Sequence, residues 1–306
     1  MKSFLLALIL LVVMAPLCAA AAPGLGARAL GMGGAYTAVA DDGSAAYWNP
    51  AGIAQVTVGL ALDGGFEGNL KQIDALREQD PAALDGTLGL KGGASLILGN
   101  FGLGALTESR AEIEPAALLK TMRIDQTDQV FFTYANEMTD LFAFGLNAKY
   151  VMANTERHTA TGMIDQAEGK GFAVDLGAMF KVGKIVRVGA VLKDFGLVGF
   201  KLNGVDYEWP TRLVLGGAVK APLLGTVVAA DLETPLQGDE DPAFRIGVEQ
   251  PFLGILAFRA GGYQEDGDFN FTAGCGLKLG PVALDVAADL GLGENTAVYA
   301  TAQFKF

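Results

Sequence analysis

The chain has 306 residues, 51% hydrophobic and only 18% charged, with a mean hydropathy of +0.34 and a formal net charge of −12. That acidity argues against nucleic acid as a partner, because a phosphate backbone needs a basic surface. The chain is greasy for a water-soluble protein, yet beyond its N-terminus no run approaches the roughly 18 apolar residues of a spanning helix.

Residues 1–20 read as a secretory signal peptide, with Lys2, an apolar stretch from Phe4 to Ala15 and small residues from Ala19 to Ala22. Pro23 disfavours a cut directly before it, so cleavage is expected after Ala20 or Ala21. Leu17 is too bulky for a lipoprotein site at Cys18, which is expected to leave with the signal. Cys275 then stands alone, and no intramolecular disulfide forms. Residues 21–55 are rich in Gly and Ala and end in Asn49-Pro50-Ala51-Gly52.

From Val56 the chain divides into strand-length segments separated by Gly, Pro, Asn and Asp. The predicted strands are Val56–Phe66, Thr87–Gly99, Phe101–Ala111, Gln126–Glu137, Asp140–Val151, Gly169–Phe180 and Lys184–Phe195. They continue with Pro210–Lys220, Gly225–Thr234, Pro242–Gln250, Gly254–Tyr263, Phe269–Leu279, Pro281–Leu292 and Thr296–Phe306. Side chains alternate with a period of two. Phe142, Phe144, Leu146, Ala148 and Tyr150 oppose Ala143, Gly145, Asn147 and Lys149; Phe269, Phe271, Ala273, Cys275, Leu277 and Leu279 oppose Asn270, Thr272, Gly274, Gly276 and Lys278. One apolar face per strand, at bilayer-crossing length, predicts an all-β fold: an antiparallel transmembrane β-barrel of about 14 strands. In lipid every backbone polar group must be paired internally, which leaves helices or closed barrels, and spanning helices are missing. A soluble β-sandwich is the competing reading. In the barrel, Lys149, Asp175, Arg212, Arg245, Asp285 and Asp289 face the lumen, while the face of Arg259 is ambiguous because Ile255 and Leu256 are both apolar.

Helical spacing over 70–84 and a short helix over Glu114–Thr121 are expected in long excursions, as are loops at Asn154–Glu168 and Val198–Trp209. Acidic runs near Asp239 and Asp266 read as solvated loop tips. His158, the sole histidine, falls in the polar stretch Thr155–Thr159 and supports no triad or metal site. Zinc-ligand and phosphate-loop patterns are missing, and the glycine runs do not follow a strand in a βαβ unit. The protein therefore reads as a non-enzyme without cofactors.

The stretch from Gly26 to Gly52, Gly-Ala-Arg-Ala-Leu-Gly-Met-Gly-Gly-Ala leading through Asp41-Asp42 to Asn49-Pro50-Ala51-Gly52, resembles the N-terminal signature of FadL-like outer-membrane proteins, closest to the PorV/PorQ branch. The resemblance covers under a tenth of the chain. It implies a barrel over 56–306 with residues 21–55 tucked inside as a hatch, carried by Arg28, Gly31, Gly33, Gly34, Asp41, Asp42, Asn49, Pro50 and Ala51. Gly31, Gly33 and Gly34 permit positive φ and close backbone approach; Asn49 before Pro50 is biased to extended geometry and able to bond the backbone. Arg28, Asp41 and Asp42 are expected to tie hatch to wall. The resemblance further implies outer-membrane lipid and the barrel-assembly machinery as partners, the latter reading Phe304 and Phe306 in the last strand. Passive transport of a hydrophobic small molecule is the implied function, with apolar loop residues Phe195, Leu197, Val198 and Phe200 in support. The alternative is a scaffold barrel partnered with a secretion-system protein. The mature chain is short for a fatty-acid transporter, so no ligand-binding residues carry over.

Overall fold

The computed structural model describes residues 24–68, 86–114, 121–159, 162–198, 201–202, 205–206, 211–237, 241–265, 268–290 and 296–305. The signal peptide, the expected helix at 70–84, Phe200 and Phe306 lie outside them.

Fourteen antiparallel strands close on themselves. They are β1 (Val58–Gly68), β2 (Gly86–Leu98), β3 (Phe101–Glu114), β4 (Thr121–Thr139), β5 (Phe142–Thr159), β6 (Gly162–Val182) and β7 (Val186–Val198), then β10 (Arg212–Lys220), β11 (Val227–Pro235), β12 (Ala243–Phe252), β13 (Leu256–Glu265), β14 (Asp268–Leu279), β15 (Val282–Asp289) and β16 (Thr296–Lys305). Two-residue strands β8 (Lys201–Leu202) and β9 (Val205–Asp206) pair with each other outside the wall. The seam is β1 on β16, in register from Gly59 opposite Lys305 to Gly68 opposite Thr296. Each predicted strand coincides with a barrel strand.

The predicted alternation sets the two faces of the wall. Phe132, Leu146, Leu176, Leu215 and Val286 are exposed on the outside, and Cys275 joins them. Lys149, Asp175, Asp285 and Asp289 are buried on the inside. Arg259 also faces inward and is buried. Along β5 the apolar outer face runs from Phe142 to Tyr150, a height of about 20 Å for strands tilted by about 40°. Phe101, Phe132, Tyr134 and Phe144 pack ring against ring at one end of this band, with centroids 5.4–6.3 Å apart. Tyr150 and Phe172, 4.8 Å apart, mark the other.

Tight turns such as Gly99–Asn100, Asp140–Leu141 and Gly280–Pro281 lie at the end where β1 starts and β16 finishes. At the opposite end the wall is uneven. Of the expected loop Asn154–Glu168, the described residues Asn154–Thr159 and Gly162–Glu168 instead continue β5 and β6, paired through Asn154–Glu168 and Thr155–Ala167. Apart from exposed Met163 and Ile164 its large side chains are polar, so it lacks the alternation that marks a strand at bilayer depth. Thr107 of β3 and Asp128 of β4 hydrogen-bond across their strands, and Gln126 with Asp128 on β4 and Asn154 with Glu156 on β5 along theirs. His158 is correspondingly a strand residue, with Nε2 2.8 Å from a Glu156 carboxylate oxygen. Glu114 ends β3 and Thr121 starts β4, so neither belongs to the expected helix; 115–120 lie outside the described residues.

Phe195, Leu197 and Val198 likewise belong to β7 rather than to a loop, and Phe195 is exposed on the outer surface. The β6–β7 register shifts twice here, at Phe172–Val174 and Val174–Leu176. Asp194 adopts φ 58° and Gly196 φ 67°. The bulge turns two successive side chains, Lys193 and Asp194, toward the lumen, which an unbroken period of two forbids.

Candidate functional site: the plugged lumen

Residues 24–56 run through the barrel interior, and nearly all are buried. Their local structure is a helical turn α1 (Ala27–Leu30), a second turn α2 (Ala45–Trp48) and a 3-10 helix (Pro50–Gln55). Gly33 and Gly34 take φ of 64° and 74°, which turn the chain after α1. Gly31 differs from expectation: its φ is −63°, and its lack of a side chain serves close approach to the wall at Gly274. Asn49 is extended, as a residue before proline should be, and its Oδ1 accepts from the Ala51 N–H at 3.1 Å. The Asn49 amide donates to the carbonyls of Thr37 and, across to β6, Ala178.

Wall and segment fit because the wall is notched. A Cβ on Gly145 would overlap the Pro50–Ala51 backbone, one on Gly177 the Asn49 side chain and Pro50 ring, and one on Gly247 or Gly261 the Met32 backbone.

The attachment joins apolar packing, in which Leu25, Ile53 and Val56 share a buried cluster with Ile97, Phe131 and Met179 of the wall, to a set of ion pairs and hydrogen bonds. Arg28 donates from Nε and Nη2 to the two carboxylate oxygens of Glu249 on β12, at 2.8 and 2.9 Å, and from Nη1 to Asp41 at 2.6 Å. Glu249 also accepts from Arg259 at 2.7 Å, and Arg259 lies 2.7 Å from Asp285. Asp41 is bridged to Arg187 of β7 at 3.3 Å, and its carbonyl accepts from Lys305 of β16. Burial alone would raise the Asp41 carboxyl, but Arg28, Lys305 and Arg187 together hold it below its ordinary value. Asp42 behaves differently from Asp41. It works mainly within the segment, accepting from Tyr36 and Ser44, with one longer contact to Gln303 of the wall.

Several wall partners were not foreseen individually. Asp231 of β11 accepts two backbone N–H groups, from Tyr36 and Thr37, each at 2.9 Å. Thr301 accepts from Ala27, and Ser95 donates to Gly43. Period-two alternation places each of these residues inward, but their partners are fixed only once the barrel closes. Toward the uneven rim, Lys193 sits over the rings of Tyr47 and Trp48, 4.8 and 5.4 Å from their centroids. Lys149 bridges Asp175 at 2.7 Å and the bulged Asp194 at 2.5 Å.

On the tight-turn side of the segment lies a cavity of about 570 Å³. Arg28, Val39, Asp41 and Asp42 form its roof, and Gly225, Gly254 and Pro281 stand at its mouth. Phe304 is exposed on the outer face of β16. Among the described residues no group of three His, Cys, Asp or Glu side chains is placed to hold a metal ion.

No protein-family model and no curated protein matches the sequence. Solved structures do. The chain is similar to the toluene transporter TbuX of Ralstonia pickettii at a TM-score of 0.69 and 15% identity, covering 92% of this chain and 98% of that one. It is similar to the CymD monoaromatic hydrocarbon channel at 0.64 and 13%, over 92% and 98%, and to a FadL homologue of Pseudomonas aeruginosa at 0.60 and 11%, over 93% and 99%. At these identities the likeness is one of fold: this chain has the FadL-type fourteen-stranded barrel.

Proposed function

We propose that the protein is a bacterial outer-membrane channel for passive entry of a hydrophobic small molecule, with a cleaved signal over 1–20, a hatch over 21–55 and a barrel over 56–306. The observation that carries this reading is a lumen occupied by an N-terminal segment that ion pairs at Arg28 and Asp41 join to the wall beside an apolar cluster of Leu25, Ile53, Ile97 and Phe131. The apolar outer band supports placement in lipid, and the solved structures of like fold include a toluene transporter and a monoaromatic hydrocarbon channel. Arg28, Gly31, Gly33, Gly34, Asp41, Asp42, Asn49, Pro50 and Ala51 form the hatch motif, and Phe304 with Phe306 the assembly signal. Uptake of labelled hydrophobic compounds by liposomes carrying the protein tests the reading. Uptake equal to that of empty liposomes for every compound tried contradicts it.

A second reading, a scaffold barrel of the PorV/PorQ type in protein secretion, is favoured by the polar extension of β3–β6 beyond Tyr150 and Phe172, which presents hydrogen-bonding surface above the apolar band. Co-purification with a secretion channel, together with absent uptake, would select it.

A further inference from the structure

The tight turns mark the periplasmic rim, since outer-membrane barrels keep their short turns on that side. Two of these turns project leucines. Leu223 in the β10–β11 turn is 98% exposed and Leu253 in the β12–β13 turn 78%, the highest values of any large apolar side chain among the described residues. Leu224 and Phe252 are exposed beside them. β11 pairs with β12, so the two turns are neighbours on the rim, and Thr226 donates to Gln250 at 2.6 Å between their bases.

Turn geometry does not call for these side chains. Leu253 and Gly254 take φ of 52° and 72°, and the Ile255 N–H donates to the Phe252 carbonyl at 3.3 Å. Positive φ at both central positions favours Asn-Gly, and a bulky residue there is an outlier. In the β10–β11 turn, Pro222 and Gly225 at φ 68° supply the bend, which leaves positions 223 and 224 open to polar residues. An exposed apolar patch of this kind marks a contact with an apolar partner.

Position and charge identify that partner. Exposed Val219 and Val228 carry the apolar outer band down to the two turns, so the patch is continuous with the lipid-facing wall. Along the same arc stand Lys184 in the β6–β7 turn and Lys220 and Lys278 near the ends of β10 and β14, and residues 181–187, 219–228, 250–258 and 277–283 include one carboxylate-free run after another. The acidic side chains lining the cavity lie deeper: Asp41, Asp42 and Glu249 are bridged to Arg28, and Asp285 to Arg259. Projecting leucines beside cations match the headgroup boundary of an anionic leaflet, which moulds itself to a tip that a rigid protein surface would have to fit.

We propose that these turns bind anionic phospholipid of the periplasmic leaflet: Leu223, Leu224, Phe252 and Leu253 enter its headgroup–acyl boundary, and Lys184, Lys220 and Lys278 attract its phosphate headgroups to the rim. The barrel is thereby held at a fixed depth on this side. The inference rests on the outer-membrane placement proposed above and holds whether the barrel transports or scaffolds.

The test uses nanodiscs of phosphatidylcholine and phosphatidylglycerol. A fluorophore is attached at native Cys275, or at Leu223→Cys, Leu253→Cys or Asp140→Cys in a Cys275→Ser background, Asp140 being a turn tip elsewhere on this rim. Acrylamide, a neutral quencher, is expected to reach the labels at 223 and 253 about threefold less than the label at 140. Spin-labelled phosphatidylglycerol is expected to associate with the wild-type barrel about twofold more than spin-labelled phosphatidylcholine, the preference shrinking at high salt. K184Q/K220Q/K278Q loses that preference, while K184R/K220R/K278R retains it. Labels at 223 and 253 as wet as that at 140, or an unchanged preference in the glutamine variant, overturn the inference. Wet tips with a shielded label at 275 sink the anchor alone and leave the turns to a protein partner, whereas a wet label at 275 sinks the membrane placement itself.

Discussion

Replacing Arg28 with Gln removes the guanidinium that joins the N-terminal segment to the wall. Three charge-assisted hydrogen bonds are lost, two to Glu249 and one to Asp41, each worth about 1.5–3 kcal/mol in a buried setting. The loss is smaller than their total. Glu249 keeps Arg259 at 2.7 Å, Asp41 keeps Arg187 at 3.3 Å, and the Arg28 side chain is 17% exposed. Breaking a buried pair by removing one partner costs about 3–5 kcal/mol, and the surviving partners place this case near 3. Since about 1.4 kcal/mol is tenfold, local release of the segment becomes roughly a hundredfold more frequent. Hydrogen exchange of the purified protein reads this directly. The amides of Leu30, Gly31 and Ala40, bonded within the segment, are expected to exchange about a hundredfold faster in Arg28→Gln, with β14 amides unchanged. Acceleration below about threefold, or equal acceleration of wall and segment, refutes the reasoning.

Gly145→Val drives a side chain into the Pro50–Ala51 backbone and is expected to unseat the segment at a cost of about 1–3 kcal/mol, read by thermal melting; Gly217→Ala, with open space around it, leaves the melt unchanged. Val286→Arg puts a charge on the exposed outer face at a cost of about 2–4 kcal/mol near mid-membrane, so its heat-modifiable band on gels is expected to be lost. Deleting Thr296–Phe306 leaves β1 and β15 as unpaired edges and is expected to abolish insertion into the membrane fraction. The Asp41 carboxyl, held low in the folded state, contributes stability that is present above its unfolded value and lost as pH falls through its depressed one. Segment exchange is therefore expected to stay slow at pH 5 and to accelerate only below the ordinary carboxylate range; acceleration between pH 7 and 5 would contradict the assignment.

The strands were legible wherever lipid and lumen impose opposite demands on neighbouring residues, because Phe142 to Tyr150 or Phe269 to Leu279 leave only one face outward. Legibility ended where that contrast ends. Asn154 to Glu168 lacks the alternation of apolar and polar faces, so it reads as a loop, although Asn154–Thr159 pairs with residues of Gly162–Glu168. The bulge at Asp194 was equally hidden, since a non-glycine residue at positive φ carries no periodic mark. In the interior, the Asn49–Pro50 geometry and the turn at Gly33–Gly34 follow from local chemistry. The choice of Glu249 for Arg28 and of Asp231 for the Tyr36 and Thr37 amides does not, because more than 190 residues separate each wall carboxylate from its partner. Only the closing register of the barrel brings them together.

The most direct test of the wall itself uses spin labels placed singly at positions 273–277, the native Cys275 among them, on protein reconstituted in lipid. Relaxation by oxygen, which concentrates in the bilayer, is expected to peak at 273, 275 and 277 and to fall at 274 and 276. Uniform accessibility along the run, or relaxation of the label at 275 by a water-soluble reagent, would contradict a closed barrel with its apolar face in lipid.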